Sequence, residues 1–252
     1  MEANATLAPD GRTERHDAPS PSSPAADLDP SRELPGWTPR PSCRMRATSG
    51  DHVAIAPFDA GLHARGLWEA LGGARTNERI RYFGWGPLAS HDDLAAAIEG
   101  FETREGWSTG VFLVGGRVAG MASYMREDAA SGSVEIGAIA HGHAMARSPA
   151  STEAHAMLMR HAFGLGYRRY EWKCDAANTP SMRAARRLGF THEGTFRQHL
   201  VRQGRNRDTA WFSVLDSEWP RLDLAFAAWL SPENLTENGQ ARSLEAVREG
   251  VA

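Results

Sequence analysis

The stretch Ser133–Phe163, SVEIGAIA-HGHAMARSPA-STEAHAMLMRHAF, concentrates the chemistry of this 252-residue chain. An apolar strand run feeds a loop that ends at a helix start, so several backbone N–H groups converge on one spot without helical partners. With the positive end of the helix dipole they suit an anion such as a pyrophosphate. Arg147 stands in that loop and can add charge, although a solvent-facing arginine would look the same. Glu135 is a carboxylate inside an otherwise apolar run, a place for an ion pair with Arg117, for example. Ser181 follows Asn178 and Pro180 at a second helix start, where capping is the plain role. His141, His143, His199, Tyr124, Tyr170 and Cys174 carry protons that can move. A lone histidine more often serves the surface or a polar core, the two tyrosines sit in β-runs, and a cysteine on a strand behaves as a small hydrophobe.

Charge is unevenly placed. Lys173 is the only lysine, and from Arg160 to Arg207 eleven basic residues face three acids, Glu171, Asp175 and Glu193. Solvated faces of amphipathic elements give such a stretch, and so does a field that attracts a phosphate-bearing ligand. RNA is the weaker reading, since no RNP-type or KH signature is present. The whole chain, at -3, shows no bias toward nucleic acid or a membrane surface. No apolar run nears the roughly 20 residues of a spanning helix. The first residues lack a secretory layout, and two cysteines make neither a disulfide framework nor a metal set. A cytoplasmic, reducing compartment is expected.

The elements that must position these residues follow from pattern. Residues 1–43 hold a Pro/Ser-rich stretch, PSPSSPAADLDP, that forms no apolar face and is expected as a disordered tail. Residues 44–230 read as one domain, and 231–252 as a C-terminal tail with a marginal helix at SLEAVREG. Helical stripes run over Leu62–Gly72, over DDLAAAIEGFETRE and from Ser151 to Leu165, the last stopped by Gly166. GVFLVGGRVAGMASYM reads as a hairpin around Gly115-Gly116, SVEIGAIA as a third strand and RRYEWKC as a half-buried one. Pro180 opens the next helix and Gly189 ends it. A long hairpin around Gly204-Arg205-Asn206 closes the series. The fold class is α/β, a mixed and strongly bent sheet with helices on both faces.

From Glu135 to Trp219 the chain resembles the RimJ/RimL-type branch of the GNAT superfamily of N-acetyltransferases. The similarity rests on EIG in the SVEIGAIA strand, RSPASTEA at the helix start, YEWKCDAANTPS, RRLGF, EGTFRQ and GRNRDTAWFSVLDSEWP, and extends thinly from Val53 to Leu230. It implies a mostly antiparallel sheet that splays between its fourth and fifth strands. Acetyl-CoA would lie in that gap, with no metal, and pass its acetyl group to an amine acceptor. No membrane is implied, and a monomer or homodimer fits.

Residue by residue, the resemblance implies that Ile139 and Ala140 pair their backbone with the pantetheine arm. The loop Ala146–Ser151, with Arg147, Ser148, Ala150, Ser151 and the N–H of Thr152, would hold the pyrophosphate. Asn178 would bond the cofactor arm. Ser181 would protonate the departing thiolate, and Glu135 would take the amine proton, directly or through water. The loop departs from the family pattern at Ala146, where Gln or Arg is usual, and at Pro149, which removes an N–H donor. Glu153 must point away from a phosphate. Gln198-His199-Leu200 offers no carboxylate where some ribosomal-protein acetyltransferases place one, which argues against that substrate. Trp68, Trp85 and Trp107 suggest an aromatic-walled acceptor pocket or ordinary core. A non-catalytic acyl-CoA-binding or partner-binding module on the same fold is the alternative.

Overall fold

The structure is a computed structural model describing residues 33–146, 148–237 and 239–251. The chain divides into two units, 1–37 and 38–252. In the first, the described residues Glu33–Trp37 form a turn in which Trp37 N–H donates to the Leu34 carbonyl at 3.1 Å. The second starts before residue 44, where an ordered domain was expected. Cys43 is only 1% exposed, and the Pro41 carbonyl accepts from Tyr167 Oη at 3.1 Å.

Eight strands form one sheet: β1 (Thr48–Ser49), β2 (Ala54–Pro57), β3 (Ser108–Val114), β4 (Arg117–Asp128), β5 (Ser133–His141), β6 (Arg169–Asp175), β7 (Thr191–Arg202) and β8 (Arg205–Leu215). Their spatial order is β1-β2-β3-β4-β5-β6-β8-β7, and of their pairings only β5–β6 is parallel. The two-residue β1 shifts the count, so the strands implied as fourth and fifth are β5 and β6. The β3–β4 hairpin turns on Gly115 and Gly116, both at positive φ, as the primed turns that match strand twist require. The β7–β8 turn falls on Gln203–Gly204, one residue earlier than expected, because Gln203 itself takes a positive φ.

The helices are α1 (Ala60–Ala70), α2 (Thr76–Arg79), α3 (His91–Glu105), α4 (Pro149–Gly164), α5 (Thr179–Arg187), α6 (Trp219–Leu230) and α7 (Leu244–Gly250). Ser90 and Asp93 form a reciprocal capping box that starts α3. The sheet's period of two separates two apolar cores. Val111 and Met121 pack under α1 and α3 with Leu67, Leu71 and Ile98. Their neighbours Phe112 and Ala122 pack on the other face with Ala154, Leu158 and Met159 of α4 and Phe226 of α6.

The stretch after Ser231 is folded rather than a tail. A 3-10 turn leads to a two-stranded ribbon, β9 (Leu235–Thr236) with β10 (Gly239–Gln240), and then to α7. Asn234 holds the turn, its Nδ2 donating to the Trp229 carbonyl at 2.9 Å and its Oδ1 accepting from Arg242 N at 3.0 Å. Ser243 caps α7, and Leu244 and Val247, three residues apart on one stripe, enter the core. Two buried side chains give little periodic signal, which is why the sequence reads there as marginal.

Candidate active site

The β5–β6 ladder is short. Its parallel pairs are Ser133–Arg169, Val134–Tyr170 and Glu135–Glu171, yet β5 continues to His141 and β6 to Asp175. Just beyond the last pair β5 is bulged: Met121 faces Ala140 but Ser123 faces Gly137, so β5 carries one extra residue there. Ala138 adopts φ +47°, a left-handed conformation that costs a non-glycine residue about 1–2 kcal/mol. The extra residue turns the strand over. Ile136 belongs to the α4-side core, whereas Ala140, an even number of residues on, belongs to the α1/α3-side core. A cleft of about 1740 Å³ occupies the gap, walled by Gly137–His141 of β5 and Trp172–Asp175 of β6.

Glu135, Ile139, Ala140, Ser148, Ser151, Thr152, Asn178 and Ser181 all line this cleft. Ala150 instead lies in the core, 2% exposed. Its N–H can still face an anion, because a second helical residue has no carbonyl to bond within its helix. Arg147 lies outside the described residues. Trp85 and Trp107 line the cleft with Phe101 stacked between them, at 5.4 and 4.4 Å between ring centres. Trp68 packs in the α1/α3-side core, away from the cleft.

Glu135 is buried, with a side chain 3% exposed, and its partners differ from the rim pair with Arg117. Arg126 Nη1 donates to both carboxylate oxygens at 3.0 Å, and Lys173 Nζ lies 3.1 Å from Oε2. Lys173 also reaches Glu171 at 2.8 Å and sits 3.7 Å above the Trp211 ring centre. The single lysine is thus the hub of the cleft floor. Burial pushes the Glu171 carboxyl up, but bonds from Lys173 and Arg169 outweigh it and leave the group below its usual range.

On the other face of the sheet, Asn178 caps α5 by accepting from Ser181 N–H at 3.3 Å. Ser181 is therefore the capped residue, and its hydroxyl is available for other work. Trp172 Nε1 donates to Ser181 Oγ at 3.0 Å, which leaves the serine O–H free to donate in turn. Cys174 stands beside it. Burial pushes that thiol up, so it is protonated at neutral pH and a poor nucleophile.

At the head of α4, Pro149 occupies the first turn. Ser151 N–H makes only a long 3.3 Å bond to the Ser148 carbonyl, while Ala146 N–H is tied to His143 O at 3.1 Å. Arg187 reaches over from α5 and donates to Thr152 Oγ1 at 3.0 Å. Burial lowers the Arg187 guanidinium pKa, the cost of placing a cation in this wall. Glu153 turns away, as a phosphate requires: its carboxylate accepts from the N–H groups of Asp51, His52 and Val53 at 2.9, 2.7 and 2.9 Å. Two histidines complete the wall. His141 Nδ1 lies 3.4 Å from Ser151 Oγ, and its Nε2 and His155 Nδ1 have no hydrogen-bond partner. Burial lowers His141 to about 4 and His155 to about 3, so both are neutral at pH 7.

The other proton carriers fall away. Tyr124 Oη donates to the Leu158 carbonyl at 2.7 Å and does not face the cleft, nor does Tyr170. His143 is exposed outside it, while His199 lines it and pairs with Thr209 Oγ1 at 2.9 Å. Arg126, Lys173, His155, Trp172 and Arg187 were missed as site residues from sequence. Among them only Lys173 and Arg187 carried a signal, as members of the basic stretch from Arg160 to Arg207. Among the described residues no helix is long and apolar enough to cross a membrane, and no three metal-ligating side chains cluster.

Residues 55–191 match the acetyltransferase (GNAT) domain family. Among solved structures, the chain is 42% identical to a GCN5-related N-acetyltransferase from Brucella melitensis, with a TM-score of 0.80 over 86% of this chain and 100% of that one. It is 33% identical to a probable acetyltransferase of the GNAT family from Chromobacterium violaceum, TM-score 0.69, over 80% and 98%. An acetyltransferase from Salmonella typhimurium that modifies the N-terminal serine of a 50S ribosomal subunit protein shares the fold at 18% identity and TM-score 0.58, over 66% and 96%. No curated protein matches the chain. The bulged strand, the opened ladder and these matches agree, and the chain belongs to the GNAT acetyltransferase family as an acyltransferase enzyme.

Proposed function

We propose that the chain is an N-acetyltransferase that moves the acetyl group of acetyl-CoA onto a primary amine by direct attack. The acceptor is a protein N-terminus or a small amine. The observation that carries this reading is the ladder that stops at Glu135–Glu171, because a gap through the sheet lets two substrates meet from opposite faces. Glu135 and Lys173 stand on one face, Ser181 and the head of α4 on the other. The lining supports this reading: the first-turn N–H groups of α4, Ser148, Ser151, Thr152 and Arg187 would suit phosphate, and the free edge of β5 at Ile139 and Ala140 would suit the amide-bearing arm.

The amine nitrogen attacks the thioester carbon, and the oxyanion is held by a β5 N–H freed by the bulge. Collapse breaks the C–S bond, and Ser181, polarised by the Trp172 bond to its oxygen, passes its proton to the thiolate sulfur while taking one from water in the same step. The ammonium proton leaves through water to Glu135, which keeps one acceptor position after its three bonds to Arg126 and Lys173. Acetyl-CoA and amine become amide and free CoA thiol. The high thiol pKa of Cys174 favours direct transfer over an acyl-enzyme. A panel of peptides with free N-termini, polyamines, amino sugars and amino acids, read by thiol release and product mass, tests this. Acetyl-CoA binding without thiol release for every amine, or an acetyl group trapped on Cys174 at the turnover rate, overturns it.

A further inference from the structure

The acceptor side of the cleft holds a cation that no carboxylate contacts. Arg207 lies on β8 in alternation with Thr209 and Trp211, and all three line the cleft. Register places them on the face of Lys173, which pairs with Trp211, and away from α4 and Ser181. The Arg207 Nε is out of contact with solvent and has no acceptor. No carboxylate lies within 4.0 Å of Arg207 among the described residues, although Lys173 on the same cleft face and Arg169 further along β6 have two carboxylates each.

Arg202, across the β7–β8 hairpin, faces the same space. It donates to the Phe83 carbonyl, and Gly84 admits it: a Cβ there would sit 2.5 Å from Arg202 Nη1. Burial, then Arg207 and Arg126, lower the Arg202 pKa, while Asp175 opposes them. Three guanidinium groups thus crowd one wall, and Glu135 balances only Arg126. A half-buried guanidinium without a counter-ion is unfavourable until an anion arrives. Trp85, Phe101 and Trp107, stacked on one another, line the same cleft, and Gln203 beside Arg202 donates to the Trp85 carbonyl.

We propose that Arg207 is a specificity residue that binds a carboxylate on the acceptor, so that the preferred acceptor is an amine that also bears a carboxylate group. This deepens the transfer reading above and rests on it. The unpaired Arg207 guanidinium presents a planar fork that fits a monoanionic carboxylate in a two-point contact. The site is separate from the phosphate-binding wall, whose cation is Arg187 on the opposite face.

The test uses matched acceptors, each an amino acid and its carboxamide, with the full chain and acetyl-CoA. The wild type is expected to favour the carboxylate form about 10–100-fold in kcat/KM, the range of a charge-assisted hydrogen bond. Arg207→Gln should erase that preference while leaving the KM for acetyl-CoA and the turnover of the carboxamides unchanged. Arg207→Lys, which keeps charge but loses the fork, should retain part of it and serves if the glutamine variant does not fold. No preference in the wild type, or a preference untouched in both variants, overturns the inference and leaves acetyl transfer standing. If no amine releases thiol, calorimetric titration with the amino acids in the presence of CoA decides. Binding lost in Arg207→Gln upholds the carboxylate site and sinks the transfer reading, and absence of binding sinks the site.

Discussion

Ser181 receives a hydrogen bond from Trp172 and has one to give, which makes it the group whose loss should be felt most narrowly. Ser181→Ala is expected to lower kcat by about 10–1000-fold with little change in acetyl-CoA affinity, measured by steady-state kinetics and by equilibrium binding. Full turnover with lost binding would make it a ligand-positioning residue only. The histidines predict a stability profile. An unfolded histidine titrates near 6.5, while His141 and His155 are lowered to about 4 and about 3. Below pH 6.5 the unfolded chain therefore binds more protons than the folded one. Their stabilising contribution is complete above that pH and is lost as pH falls toward 4 and then 3. Urea unfolding at pH 7.5 and 5 should show this drop, and His155→Gln should shrink the difference between the two.

Among the elements, α4 is tied to the start of the sheet by one carboxylate. Glu153 satisfies three N–H groups of the turn before β2, and Gly50 must lack a side chain because a Cβ would lie 2.4 Å from that carboxyl carbon. Glu153→Ala is expected to cost about 2–4 kcal/mol in urea unfolding, since buried donors are left without an acceptor. Legibility also divides at this scale. The hairpin glycines, the stripe of DDLAAAIEGFETRE and the helix stops at Gly166 and Gly189 are local signals, so α3, β3–β4, α4 and α5 were readable from sequence. The helices opening near Ser151 and Pro180 were readable too, and most of the residues expected from sequence at the site line the cleft. Glu135's partners were not, because Lys173 and Arg126 reach it through ladder register and a bulge, which no local pattern encodes. Capping was expected at Ser181, but Asn178 is the cap and Ser181 the capped residue one turn on, a local ambiguity rather than a long-range one.

At the scale of the molecule, α7 closes the core opposite α1 and α3. Arg221 on α6 donates to the Val251 and Arg248 carbonyls at 2.7 and 3.0 Å, fastening the last helix down. Truncation after Ser231 is expected to lower stability by about 3–5 kcal/mol, from the lost burial of Leu244 and Val247. A circular-dichroism melt checks it, and an unchanged Tm would show that α7 docks without contributing.

The three-pair joint between β5 and β6 bears on how the protein answers its own substrate. A ladder so short is a weak seam between two antiparallel half-sheets, and whatever fills the gap beyond it acts as a rivet. Acetyl-CoA, bound to β5 on one bank and α5 on the other, would bind only the native seam and draw the unfolding equilibrium toward it. At 100 times its dissociation constant that amounts to about 2.7 kcal/mol, visible as a rise in Tm. The gain should be local as well: amide exchange should slow most at Ala138–His141, the bank that has no neighbouring strand of β6 to protect it. An enzyme joined this way is most rigid while it holds its acyl donor and loosens when the spent carrier leaves.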